Sequence, residues 1–242
     1  LFDHYHEPFM GGAALLLRLS PERATLSDSN AELVNCYRVV RDDVETLIEH
    51  LAIHQNESDY FYETRAADPM RLTDVGRASR FIYLNRTCFN GLYRVNRQGR
   101  FNTPFGRYSN PRICDAVNLR LVSAALRSVE LLEADYFDAL ALAESGDFAY
   151  LDPPYMPVSK FSDFKRYTKE QFGEAEHVRL AEVFRELDAR GCKVMLSNSD
   201  TPLVHELYRG YTIEVVRARR LINKNPEGRG LVNELVIRNY EH

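Results

Sequence analysis

Apolar positions along the chain keep two rhythms, and their alternation predicts an α/β protein. Within residues 30–51, Leu33, Val34, Tyr37, Val40, Val44, Leu47, Ile48 and Leu51 recur at helical spacing, which predicts a single helix. Ala78, Phe81, Ile82 and Leu84 predict another over 75–85. Further helices are expected over 15–19, 118–129 and 138–144. Val178, Leu180, Ala181, Phe184 and Leu187 stay in helical register until Gly191, and Thr168 with Gln171 reads as a capping box opening that helix. Thr201-Pro202 starts one more, which Gly210 ends. Short apolar runs between these predict strands: one ahead of Gly11-Gly12, then 24–27, 130–132, 148–151 and 193–197. Two alternating segments, 212–218 and 233–240, predict an antiparallel pair.

Such alternation predicts a mostly parallel sheet covered on both faces, with a terminal antiparallel strand. From about Asn85 to Arg112 the pattern dissolves into Gly, Asn, Arg, Pro and aromatic residues. We therefore expect an inserted, mainly helical recognition lobe at 59–118, carried by a catalytic domain built from 1–58 and 119–242. A chain of 242 residues can bury a full core for that design. Its net charge of −4 gives no global attraction for nucleic acid, so such a partner would need a local patch. Cys36, Cys88, Cys114 and Cys192 are scattered without C-x-x-C spacing, which argues against zinc or disulfides and for a cytoplasmic setting. No apolar run reaches the ~18 residues of a membrane span, so no membrane partner is expected. For oligomeric state the expectation is a monomer or weak dimer.

The densest chemistry follows the apolar run Phe148-Ala149-Tyr150-Leu151, in Asp152-Pro153-Pro154-Tyr155. Neither proline has an N–H, so their carbonyls and the Asp152 carboxylate are acceptors open to an incoming donor. Tyr155 adds a flat face. Two acceptors beside a stacking surface suit a planar ring with an exocyclic NH2, either adenine or cytosine. The plain alternative is a proline turn with Tyr155 as packing.

Three earlier strand ends point to a cofactor. Gly11-Gly12 lets a ligand approach the backbone. Asp28 stands where doubly wound folds hold ribose hydroxyls, or else caps the helix beginning near Asn30. Asp135-Tyr136 offers an acid for an adenine amino group and an aromatic cover for its ring, or else a surface turn. In series they favour an adenosine-containing cofactor across the carboxyl edge of the sheet.

The local patch lies between Arg77 and Arg120. Arg77, Arg80, Arg86, Arg94, Arg97, Arg100, Arg107, Arg112 and Arg120 stand there against the single acid Asp115. Interleaved are Phe89, Asn90, Leu92, Tyr93, Asn96, Phe101, Asn102, Pro104, Phe105 and Tyr108, more aromatic and amide groups than a solvated face needs. Phe89-Asn90 would suit the gap left when a base leaves its stack. Arg77, Arg80 and Arg86 would hold phosphates or stay structural. Lys160, Lys165 and Arg166 could bracket the target strand or belong to a solvated loop.

Glu7-Pro8-Phe9-Met10-Gly11-Gly12, residues 28–37, residues 85–108, the tetrad and Val194-Met195-Leu196-Ser197-Asn198-Ser199 together resemble the S-adenosylmethionine-dependent amino-methyltransferases. More narrowly, the chain is similar to the Dam-type DNA adenine-N6 methyltransferases of the alpha class, which act on GATC. The resemblance runs nearly end to end, and the motifs keep the family's order. It implies a Rossmann-like methyltransferase fold, no metal, duplex DNA as partner and methylation of a flipped-out adenine. It implies an S-adenosylmethionine site lined by Glu7, Pro8, Phe9, Gly11, Gly12, Asp28, Asp135, Tyr136 and Asp152. Asp152, Pro153, Pro154 and Tyr155 would carry catalysis. Arg94 would read the guanine, with Leu92 and Pro104 on neighbouring bases, and Arg86, Phe89, Asn90, Asn96, Asn102 and Arg107 completing the DNA contacts. The family's Lys-, Gly- and Trp-containing segment ahead of the glycine motif has no match here. The chain opens on Leu1 and has no Trp, so a preceding segment is expected. The other readings are cytosine-N4 methylation, an RNA substrate, or a DNA-binding relative without catalysis.

Overall fold

The computed structural model of the chain describes residues 1–96, 98–157, 172–219 and 231–241. Its elements begin with β1 (Tyr5–Glu7), α1 (Ala14–Leu19), β2 (Ala24–Asp28), α2 (Ala31–Asp42), α3 (Val44–Ala52), α4 (Ser58–Ala66) and α5 (Asp74–Thr87). There follow α6 (Ala116–Leu126), β3 (Val129–Glu133), α7 (Tyr136–Leu140), β4 (Phe148–Leu151) and α8 (Glu174–Ala189). The last are β5 (Lys193–Ser199), α9 (Pro202–Leu207), β6 (Thr212–Arg219) and β7 (Leu231–Arg238). They fall into two compact units, Leu1–Ser27 with the described residues after Glu133, and Asp28–Glu133.

In the first unit six strands run in the order β2-β1-β4-β5-β7-β6. Four are parallel neighbours, and β7 inserts antiparallel between β5 and β6. This is the expected mostly parallel α/β sheet. β1 is buried at every position, as an interior strand of a parallel sheet must be. Farther along, Ala149 and Leu151, Val194 and Leu196, and Leu235 and Ile237 lie two apart on their strands and so share a face. All six are buried in one cluster with Leu180, Ala181, Phe184 and Leu187 of α8. Each large side chain so buried contributes about 1.5–3 kcal/mol.

Three helix starts differ from expectation, α6 opening at Ala116 rather than 118 because Asp115 caps it by accepting from Asn118 N. α8 opens at Glu174 with Gly173 as its cap residue, whereas Thr168 and Gln171 lie outside the described residues. α7 begins at Tyr136, two residues earlier than the pattern suggested, because Asp135 caps it by accepting from Phe137 N. The Thr201-Pro202 start of α9 is as expected, with the Thr201 hydroxyl accepting from Val204 N.

In the second unit the helix expected over 30–51 is two. Asp43 sits between them at φ −144° and ψ 49°, its N–H on Val39 O and its carboxylate taking Thr46 Oγ1 at 2.6 Å. Apolar spacing continues across this single-residue break, so the pattern hides it. α4 escaped the pattern because only Phe61 of its residues is buried. The Arg80 guanidinium donates to Thr64 O and Arg65 O, satisfying carbonyls in the last turn of α4. Phe61, Tyr83, Leu84, Cys88 and Phe101 form the core here. His54 lies 2.8 Å from both Tyr60 OH and Ser79 Oγ and stacks on Tyr83. Burial lowers its pKa to about 4, so it is neutral at pH 7.

Candidate functional site

β4 and β5 pair with Leu151 beside Leu196. The next residues on each strand, Asp152 and Ser197, therefore meet, and Ser197 Oγ donates to Asp152 Oδ1. Tyr150 OH lies 3.3 Å from the same Ser197 Oγ. Asn198 Oδ1 accepts from Met156 N at 3.0 Å. Pro153 is buried, Pro154 exposed and Tyr155 half-buried. The Tyr155 hydroxyl donates to Glu234 Oε2 of β7 at 3.5 Å. Asp152 is exposed as a residue, but its carboxylate is turned back among Ser197 and Tyr155. Loss of water there raises its pKa, against the hydrogen bonds from Ser197 and Tyr155, which lower it.

Glu7 of β1 is buried, and burial raises its carboxyl to about 7. The hydrogen bonds of Tyr5 OH, at 2.8 Å, and of the Leu16 backbone N–H oppose this, and the Asp152 charge adds to it. Pro8 is buried. Phe9 stacks on Tyr136 at 5.2 Å and meets Phe172 edge-on at 5.7 Å. Gly11 has φ +41°, and a Cβ built on Gly12 would meet nothing within 4 Å, so open space adjoins the backbone there. Ser27 Oγ, near the end of β2, is buried without a partner among the described residues.

Asp135 and Tyr136 are engaged locally. Asp135 is exposed and caps α7. Tyr136 is buried, its hydroxyl donating to Glu176 Oε2 at 3.2 Å and the Arg179 guanidinium 5.5 Å from its ring centre. In the second unit Asp28 is buried and its Oδ1 accepts from Asn30 N at 2.9 Å. The cap of α2 is Asn30, which accepts from Glu32 N and Leu33 N.

In the second unit, residues 88–96 pair with residues 98–106. Cys88 pairs with Phe105 and Val95 with Phe101, both antiparallel. Backbone bonds from Phe89 N to Pro104 O, Asn102 N to Arg94 O and Asn96 N to Arg100 O cross the hairpin. Asn96 Oδ1 ties the tip by accepting from Gln98 N and Arg100 N. Arg94 is exposed, and its Nε donates to Asn102 Oδ1 at 2.8 Å. At the base, Phe89 is 53% exposed, an unusual position for a phenyl ring. Asn90 follows in the left-handed region, φ 57° and ψ 19°. Leu92 is half-buried, while Arg86, Pro104 and Arg107 are exposed.

The basic patch is narrower than its composition. Arg77 pairs with Glu32 at 2.6 Å and Asp74 at 3.3 Å. Arg80 serves α4, Arg112 pairs with Asp115 at 2.9 Å, and Arg120 with Glu45 at 2.6 Å. Arg86, Arg94, Arg100 and Arg107 remain exposed on or beside the hairpin. Arg97, Lys160, Lys165 and Arg166 lie outside the described residues. Sequence reasoning gave no role to Tyr5, Ser197, Asn198 or Glu234. Ser197 and Asn198 entered only as part of the motif Val194-Met195-Leu196-Ser197-Asn198-Ser199, and the polar end of that apolar strand is the signal that could have given them a role. Among the described residues no group of His, Cys, Asp and Glu could hold a metal ion, and no helix is long and apolar enough to cross a membrane.

Residues 2–222 match the family described as D12 class N6 adenine-specific DNA methyltransferase. The chain is 42% identical over 247 residues to the type II methyltransferase M1.LlaDCHI of Lactococcus lactis subsp. cremoris, covering 99% of this chain and 87% of that protein. It is 41% identical over 254 residues to the type II methyltransferase M.MjaIII of Methanocaldococcus jannaschii, covering 98% and 88%. To the DNA adenine methylase of Serratia marcescens it is 36% identical over 235 residues, covering 95% and 87%.

Proposed function

The chain belongs to the D12 class of N6 adenine-specific DNA methyltransferases, and from that premise we propose which of its residues do the chemistry and which read the DNA. Membership decides for adenine N6 over cytosine N4, for DNA as substrate and for S-adenosylmethionine as methyl donor. When bound, that cofactor supplies an electrophilic methyl group on a sulfonium. Glu7, Pro8, Phe9, Gly11 and Gly12, Asp28, Asp135 with Tyr136, and Asp152 are the residues assigned to hold it. The open space at Gly12, the apolar Phe9 and the unpartnered Ser27 Oγ suit such a ligand.

The catalytic assignment rests on one observation: the Asp152 carboxylate is fixed by Ser197 next to a half-buried tyrosine. Asp152 and the Pro153 carbonyl accept the two N6 protons of an adenine lying on Tyr155. That holds the amine and directs its electron density outward. Positioning and fixed dipoles supply the rate, and Asp152 need not be a strong base, since the proton leaves after the methyl group arrives. Segment 59–118 is the recognition lobe in this reading. Phe89-Asn90 fills the gap left by the flipped base, Arg94 reads guanine, and Leu92 and Pro104 touch neighbouring bases. Arg86, Asn96, Asn102 and Arg107 complete the interface, and GATC is the proposed target.

The test is transfer of labelled methyl groups to matched duplexes, one with GATC and one with the central bases scrambled, followed by digestion to nucleosides. N6-methyladenine confined to the GATC duplex is expected. Equal label in both would discard the target while keeping the chemistry.

A further inference from the structure

We propose that Ser197 and Asn198 are positioning residues that grip the tetrad at its two ends from β5, Ser197 on the Asp152 side chain and Asn198 on the Met156 backbone. The inference rests on the assignment of Asp152 as acceptor for the amine. Pro153 and Pro154 have no N–H to give to a neighbouring strand, so the middle of the tetrad has no backbone donor. The chain can be tied only before and after them. Ser197 Oγ holds the residue before, and Asn198 Oδ1 the residue just beyond Tyr155.

Adjacent strand residues point to opposite faces, yet these two serve the same short segment, 152–156, because one meets a side chain and the other a backbone amide. Asn198 is itself braced. Its Oδ1 also takes Ser199 N at 2.8 Å, and its Nδ2 lies 3.4 Å from Nδ1 of His177. His177 is 1% exposed and neutral, burial having lowered its pKa to about 4, so Nδ1 can accept. Phe172 meets that ring edge-on at 4.9 Å.

The hold has an electrostatic side. Around Asp152 stand Tyr5 and Glu7 of β1, Tyr150 of β4 and Tyr155, with Glu234 of β7 facing Tyr150 and Tyr155, and the Ser197 and Tyr155 hydrogen bonds favour the ionised form of Asp152. Removing the Ser197 hydroxyl raises the Asp152 pKa, so the acid limb of the rate moves to higher pH.

Single-turnover methyl transfer is measured against pH for Ser197→Ala, Ser197→Thr, Asn198→Ala and Asp152→Ala, with S-adenosylmethionine affinity by calorimetry and melting temperature. Ser197→Ala should be about tenfold slower, with its acid limb raised and its cofactor affinity and melting temperature kept. Ser197→Thr should recover most of the rate. Asn198→Ala should be slower with the acid limb unmoved. A Ser197→Ala enzyme with wild-type rate and profile overturns the inference, as does a loss that Thr cannot restore or one matched by weaker cofactor binding. An active Asp152→Ala enzyme instead overturns the underlying assignment.

Discussion

The tetrad and the hairpin both carry exposed polar residues, but the side chains of each are held in different ways. Beyond the hydrogen bond between Asp152 and Tyr155, the tetrad and the Met156 that follows it are held from other strands: by Ser197 and Asn198 of β5 and Glu234 of β7. Two polar side chains of the hairpin are held from within it, Arg94 by Asn102 and Asn96 by the amides of Gln98 and Arg100, while Thr103 O also takes a bond from Arg65 of α4. Chemistry needs atoms fixed to a fraction of an ångström, and sheet register supplies that. Recognition needs a side chain aimed at a base edge, which such a hairpin can do. Residues there can change without disturbing the sheet.

Substitutions should separate the two regions. Asp152→Ala should lower single-turnover methyl transfer by about 10³-fold or more while DNA affinity in gel-shift titration stays near wild type. Arg94→Ala should lower kcat/KM on GATC by about 10–100-fold and flatten the preference over guanine-substituted duplexes, with methyl transfer chemistry intact. A drop uniform across all sequences would instead make Arg94 a phosphate contact.

Glu7→Gln probes what burial near the tetrad costs. The folded carboxyl titrates at about 7 against an ordinary 4.5, so the folded state holds the extra proton between them. Stability therefore falls as pH rises through that window, and the whole cost is present above it. Urea melts of Glu7→Gln should be flatter from pH 4.5 to 7 and more stable at pH 8 by about 1–2 kcal/mol. The smallest effect is expected for Asn102→Ala, a loss of about two- to fivefold in discrimination at the Arg94 base with unchanged melting temperature. A large fall in stability would remove the contrast with the sheet-held tetrad.

The fold was legible wherever apolar spacing followed a single face, as in α8, β5 and the β6–β7 pair. It was not legible at Asp43, where Val40 and Val44 stay in register across the break, nor at α4, which has no apolar stripe. The tetrad announced itself because its residue types are unusual and contiguous. Its supports were not read as such, although Ser197 stood in a matched motif, because Ser197 and Glu234 lie 45 residues from Asp152 and 79 from Tyr155. The basic stretch was overread for the same reason. Glu32 and Glu45, which hold Arg77 and Arg120, are 45 and 75 residues away.

The antiparallel insertion of β7 also bears on biosynthesis. β7 follows both β5 and β6 in the chain, yet it lies between them, and it carries the Glu234 that meets Tyr155. While a ribosome is still translating residues 231–238, the growing polypeptide has β5 with a bare edge and β6 with no strand to join. A nascent chain stalled before β7 would therefore offer unpaired backbone to chaperones and lack the Glu234 support of its tetrad. The contact between Glu234 and Tyr155 can thus form only once β7 has emerged.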